Sequence, residues 1–169
     1  SQARTPPHNA SRRSDALHTD FRNATTADLP GLQGLARDVI DADYRSFLGD
    51  EGTDQIIDSG AIDDYLTENI ADCVVVTSDS GIAGFAICKG ALIALMMIAP
   101  GARGKGVGAA LLRHCEAALF RSSARLTLES FEGNTRAHEF YRRHGWRLAE
   151  RNEYSSNGVV TYVFLKDQP

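Results

Sequence analysis

Pro100-Gly101-Ala102-Arg103-Gly104-Lys105-Gly106-Val107-Gly108 follows a nearly unbroken apolar run, Ala91 to Ala99. It leads into an amphipathic helix expected from about Val107 to Phe120. A strand, a glycine-rich turn and a helix in that order present free backbone N–H groups to an anion. Gly104, Gly106 and Gly108 let the main chain approach a ligand closely, because no Cβ stands in the way. Arg103 and Lys105 add positive charge beside those amides. The stretch reads as a seat for a pyrophosphate.

Working outward, a chain of 169 residues is most simply one domain, here 16–169, behind a polar stretch, 1–15, expected to be a disordered tail. Its 43% apolar content is enough for a real core. The longest apolar run, Ala91 to Ala99, is far too short to cross a bilayer, so no membrane partner is expected. Neither a secretory signal nor a C-x-x-C pair is visible. Cys73, Cys88 and Cys115 therefore read as reduced thiols of a cytoplasmic protein. No two histidines stand at zinc-site spacing, and no metal is expected. Charge is uneven. Residues 1–88 carry 6 basic against 15 acidic side chains, and residues 89–169 carry 12 against 7. Either the surface is simply solvated, or the two halves bind ligands of opposite sign.

Periodicity assigns the elements. Leu17 to Arg22 alternates as a first strand. A helix starts near Thr25-Thr26, with Thr26 as cap, Asp28 at its positive end and Pro30 in its first turn. Leu32, Leu35, Ala36, Val39 and Ile40 give this helix one buried stripe. Residues 41–59, punctuated by Gly49 and Gly52, read as a loop anchored by Tyr44, Phe47 and Leu48. A second helix covers Ala61 to Asn69. Strands follow at Cys73–Thr77, Ile82–Cys88 and Ala91–Ala99. After the glycine turn and its helix come a strand, Arg125–Ser130, and a short helix, Thr135–His144, with Asn134 as N-cap and Gly145 as C-cap. Two last strands, Trp146–Glu153 and Val159–Leu165, are joined through Ser155–Gly158. The order β-α-α-β-β-β-α-β-α-β-β predicts an α+β fold, a mixed and mostly antiparallel central sheet flanked by helices.

That order resembles the GNAT superfamily of acyl-CoA-dependent N-acetyltransferases over about residues 17–166. Arg103 to Gly108 matches the family's Q/R-x-x-G-x-G/A pyrophosphate loop in full. Asn134-x-x-Ala137-x-x-x-Tyr141-x-x-x-Gly145-Trp146 matches its N-x-x-A-x-x-F/L-Y-x-x-x-G-F segment. A P-loop would need Ser or Thr after Lys105, and the run of strands before the glycine turn does not suit a dinucleotide fold.

The resemblance implies acetyl-CoA as cofactor, lying along a bulged strand that splays from the next. The matching backbone is that of Met96, Met97 and Ile98, and an N–H near Ile98 would polarise the thioester carbonyl. The side chains of Met96 and Met97 also suit plain core filling. Arg103, Gly104, Lys105, Gly106, Val107 and Gly108 would hold the pyrophosphate, although Arg103 and Lys105 also read as solvated charges. Tyr141 would be the general acid to the leaving thiolate; its place on the apolar stripe suits a core tyrosine equally. Ala91 to Ala99 carries no acid, which leaves Glu129 as candidate base, or as the carboxylate of an ion pair. Leu128-Glu129 ahead of Asn134 is similar to the ribosomal-protein alanine acetyltransferases, while Ser130 and Phe131-Glu132-Gly133 depart from them. Asn134 would contact the cofactor, cap its helix, or both. Tyr154 is a further candidate for the acceptor groove. Transfer would be direct, in a ternary complex, because no cysteine has an activating neighbour.

Residues 38–72 hold 11 of the 22 acids and a single base, Arg45. By resemblance this stretch would wall the acceptor site, which points to a cationic small molecule or a peptide or protein amine. A non-catalytic acyl-CoA-binding sensory module is the reading of another class. Nucleic acid is not an expected partner, since no patch interleaves basic and aromatic residues; a homodimer is compatible with the sequence.

Overall fold

A computed structural model describes residues 18–154, without the Tyr154 side chain, and 159–169. The expected tail 1–15, Leu17, the Tyr154 side chain and the turn Ser155–Gly158 lie outside the described residues. Strand β1 (Asp20–Asn23) is followed by helices α1 (Leu29–Asp43), α2 (Arg45–Asp58) and α3 (Ala61–Glu68). Strands β2 (Cys73–Ser78), β3 (Gly81–Lys89) and β4 (Leu92–Ile98) precede α4 (Val107–Leu119). Then come β5 (Arg125–Phe131), α5 (Thr135–Arg143), β6 (Arg147–Tyr154) and β7 (Val159–Asp167).

One helix more is present than the sequence pattern predicts. The expected loop 41–59 is largely α2, kinked at Gly49, whose φ of 74° and ψ of 172° are not helical. Glycine there tolerates the left-handed backbone that breaks the turn. Arg45 steadies the first turns by binding Asp41 and Asp54, at 2.6 and 2.7 Å, with Asp50 at 3.2 Å. A smaller correction concerns the entry to α1. Thr25, not Thr26, caps the single 3-10 turn Thr26–Asp28 that leads into α1, and its N–H donates to Asp28 Oδ2 at 2.8 Å.

The seven strands form one sheet in the order β1-β2-β3-β4-β5-β7-β6, and only β4 and β5 run parallel. The fold is therefore α+β with a mostly antiparallel sheet. Its two faces carry two cores. On one, the predicted α1 stripe (Leu32, Leu35, Ala36, Val39, Ile40) packs with Leu66, Val75, Phe85 and Met97. On the other, Leu111, Leu112 and Cys115 of α4 and Tyr141 and Trp146 pack on Ile93, Leu126, Leu128 and Phe164. Each fully buried aliphatic side chain contributes about 1.5–3 kcal/mol of transfer free energy.

Glu116 is buried among them, and the apolar pattern of α4 gives no sign of it. It accepts hydrogen bonds from Trp146 Nε1 at 2.8 Å and Lys166 Nζ at 2.9 Å, and Lys166 also donates to His144 O at 2.7 Å. A buried carboxylate is tolerable only with such partners. This cluster fixes the end of α5, and so the placement of Tyr141.

Candidate active site

Strand β4 is irregular where the cleft begins. Ile87 pairs with Leu95 and Cys88 with Ile93, so Ala94 is an extra residue, a β-bulge. β4 and β5 pair only at Leu92–Thr127 and Ile93–Leu128, then diverge. From Ala94 to Ile98 the side of β4 facing β5 is left without strand pairing, so its N–H and C=O groups are open to a bound chain. The gap is a cleft of about 880 Å³, large enough for a cofactor arm.

Of the twelve residues expected to hold the cofactor or act in catalysis, eleven line this cleft: Met96, Met97, Ile98, Arg103, Gly104, Gly106, Val107, Gly108, Glu129, Asn134 and Tyr141. Lys105 does not. It lines a neighbouring hollow with His18 and Asp79, so the positive charge expected of it is not added to the cleft. Gly104 and Gly106 have φ of 73° and 80°, and nothing stands within 4 Å of where a Cβ would project from either. Helix α4 has no side-chain cap at Gly106, which leaves its first-turn N–H groups without intrahelical partners. A 13-residue helix brings partial positive charge to that end. The loop therefore fits a pyrophosphate.

Tyr141 is 9% exposed, and its hydroxyl makes no hydrogen bond to a described residue. Burial first, and then the nearby Tyr44, push its pKa up to about 12. At neutral pH it is a phenol with a proton to give. Glu129 stands on the exposed side of β5 in the same cleft, and its carboxylate makes no ion pair or hydrogen bond with described residues. The ion-pair role that its place at a strand end allowed is thus not what the geometry shows. Asn134 Oδ1 caps α5 by accepting from Ala137 N at 3.4 Å, and its amide group is left for another partner. His138, next on that helix, is buried, and its Nε2 meets Phe131 O at 2.9 Å. Burial lowers the His138 pKa, so the ring is neutral at pH 7 and steadies the turn that carries Asn134.

Several cleft residues had no clear sequence signal. Tyr44 reads in the sequence only as an anchor of a loop. It packs edge-on against Phe131 with centroids 5.6 Å apart, and burial followed by the Asp43 charge pushes its pKa up to about 12. Phe47, outside the cleft lining, packs on both rings and is pressed so closely on Gly133 that a Cβ there would overlap it. Arg136 and Arg143 bring positive charge to the cleft from α5; their seven-residue spacing on one helix face was the available clue. Thr161 of β7, paired with Phe131, lines it with a buried hydroxyl that has no hydrogen-bond partner among the described residues.

The acid-rich stretch behaves differently from expectation. Of its eleven acids only Asp43 lines the cleft. Asp63 is paired with Arg37 at 2.6 Å, and Asp41, Asp50 and Asp54 surround Arg45. The expected acidic wall is thus reduced at the cleft to Asp43 and, from β5, Glu129.

Residues 69–148 match the family model described as the acetyltransferase (GNAT) domain. Solved structures of the same fold include a GCN5-related N-acetyltransferase from Rhodopseudomonas palustris. It is 19% identical over 88% of this chain and 95% of its own, with a TM-score of 0.77. Another is the PaiA N-acetyltransferase from Thermoplasma acidophilum in complex with coenzyme A. It is 18% identical over 89% of this chain and 99% of its own, with a TM-score of 0.75. A third is N-acetylglutamate synthase from Neisseria gonorrhoeae, complexed with coenzyme A and N-acetyl-glutamate. It is 20% identical over 88% of this chain and 35% of its own, with a TM-score of 0.64. No curated protein matches the chain in sequence. Among the described residues no group of three or more His, Cys, Asp or Glu is placed to hold a metal ion, and no helix is long and apolar enough to cross a membrane.

Proposed function

We propose, for a chain whose residues 69–148 place it in the GNAT superfamily, that it moves an acetyl group from acetyl-CoA to a primary amine by direct attack in a ternary complex. The observation that carries this reading is convergence. The uncapped glycine turn, the unpaired edge of β4, the phenol of Tyr141 and the carboxylate of Glu129, unpaired among the described residues, all line one cleft. Two fold relatives carry coenzyme A in their complexes, which supports the choice of cofactor.

Acetyl-CoA, when bound, supplies an activated thioester. The N–H groups at the start of α4 and the turn Arg103–Gly108 hold its pyrophosphate. Met97 turns its N–H and C=O to Phe85 of β3, so the open edge is that of Met96 and Ile98; it would pair with the amide-bearing arm, and the N–H of Ile98 would polarise the acyl oxygen. Glu129 takes the proton that the acceptor's ammonium must lose before attack, directly or through one water. Tyr141 gives a hydrogen bond or proton to the departing sulfur. No cysteine lines the cleft, and burial pushes the pKa of Cys73 up to about 12, far from a reactive thiolate.

The acceptor is an amine that enters as a cation, a small molecule or a peptide end, met by Glu129 and Asp43. A second reading, acetylation of a protein α-amine, is favoured by the placing of Glu129, Asn134 and Tyr141 on one cleft in the spacing of the ribosomal-protein alanine acetyltransferases. A panel of polyamines, aminoglycoside-type amines and peptides, scored by free coenzyme A release, tests both. Cationic amines should react fastest. A strict preference for neutral or acidic acceptors would remove the cationic reading, and no release with any amine would remove the transferase itself.

A further inference from the structure

Arg103 opens the turn that fits the pyrophosphate, yet its guanidinium is already engaged. Its two terminal nitrogens donate to the two carboxylate oxygens of Asp43 at 2.7 and 2.6 Å, across 60 residues of chain. The two side chains keep 21% and 23% of their exposure, and both residues line the cleft. Asp43 is the last residue of α1, where a carboxylate faces the negative end of the helix and is disfavoured unless a cation compensates it. A carboxylate and a phosphate use the same fork of a guanidinium. The arrangement is that of an anion seat filled by one of the protein's own anions.

We propose that Asp43 stands in for the cofactor's pyrophosphate in the free protein and gives up Arg103 when that group arrives. The proposal rests on the cofactor reading above. The exchange is favourable in direction, because a pyrophosphate brings more negative charge than one carboxylate and also satisfies the first-turn N–H groups of α4, which Asp43 on another element leaves unused. Once released, Asp43 is an uncompensated carboxylate at the end of α1 inside the cleft. The acceptor's ammonium is the cation that relieves it. Cofactor binding thus makes the acceptor site more attractive to a cation, and the two ligands bind with positive coupling.

Calorimetric titration of coenzyme A, and separately of inorganic pyrophosphate, into wild type, Asp43→Asn, Arg103→Gln and the double variant reads the exchange without turnover. If the Asp43-bound state holds about nine-tenths of the population, Asp43→Asn should bind both ligands roughly tenfold tighter. Arg103→Gln should bind them more weakly, and adding Asp43→Asn to it should bring no gain. With a reactive amine, Asp43→Asn should raise the amine's KM about tenfold. Unchanged or weaker ligand binding by Asp43→Asn would make the pair a fixed strut and overturn the exchange. An unchanged KM would remove the ammonium role. A chain that follows the binding cycle but acetylates nothing would overturn the transferase reading and leave the exchange standing.

Discussion

At the scale of single residues the site depends on proton positions. In the proposed reaction Tyr141 must arrive protonated, and burial, by pushing its pKa up to about 12, keeps it a phenol throughout the physiological range. Tyr141→Phe should lower kcat by about 100-fold or more while coenzyme A affinity stays within about twofold, as steady-state kinetics and calorimetry would show. A non-catalytic binding module would show no turnover to lose. The same burial has a consequence for stability. Tyr44 and Tyr141 both hold their protons more tightly folded than unfolded, so their contribution is complete below about pH 10 and is lost as pH rises towards about 12. Each steepens the decline by at most about 1.4 kcal/mol per pH unit. Urea midpoints measured from pH 9 to 12 should therefore fall less steeply for Tyr141→Phe. Glu129→Gln should cost about 100-fold in kcat/KM near neutral pH, with less effect as alkaline pH deprotonates the amine in solution.

At the scale of elements, the bulge and splay of β4 depend on how closely β3 can approach it. A Cβ on Gly84 would lie 2.6 Å from Ile98 Cδ1 and 2.8 Å from Met97 O. Gly84→Ala should destabilise the fold by about 1–3 kcal/mol in urea unfolding. It should also weaken coenzyme A binding, because the displaced Ile98 belongs to the open edge. Elements with a clean period were legible in the sequence. The α1 stripe and the core face of α4 follow from 3.6-residue spacing alone, and the glycine turn from its chemistry. Helix α2 was not, because Gly49, Gly52 and its acids dilute the period; what holds it is the long-range packing of Phe47 on Gly133 and Phe131 together with local ion pairs of Arg45 to Asp41 and Asp54. The Asp43–Arg103 pair was illegible for a related reason. Its partners lie 60 residues apart, and nothing local distinguishes Asp43 from the acids around it.

At the scale of the whole molecule, two cores share one sheet and the cleft lies where that sheet opens between β4 and β5. The Glu116–Trp146–Lys166 cluster ties α4, the end of α5 and β7 together behind it. Lys166→Met leaves Glu116 buried with one partner and should cost about 3–5 kcal/mol by urea unfolding. Adding Glu116→Gln should recover part of that loss. If Lys166→Met alone proved neutral, the cluster would not be what fixes the end of α5.

The strand order carries a consequence for biosynthesis. β7 lies between β5 and β6, and β6 has no other neighbour among the described strands. As the polypeptide leaves the ribosome, β1 to β4 and α1 to α3 can condense while later residues are still being added. β6 emerges with nowhere to pair, and β5 keeps one bare edge until the stretch through Asp167 is free of the exit tunnel. The half of the sheet that carries Glu129 is therefore completed only after the glycine turn has long been made. In that interval the chain exposes unpaired strand edges, which is where a chaperone would act.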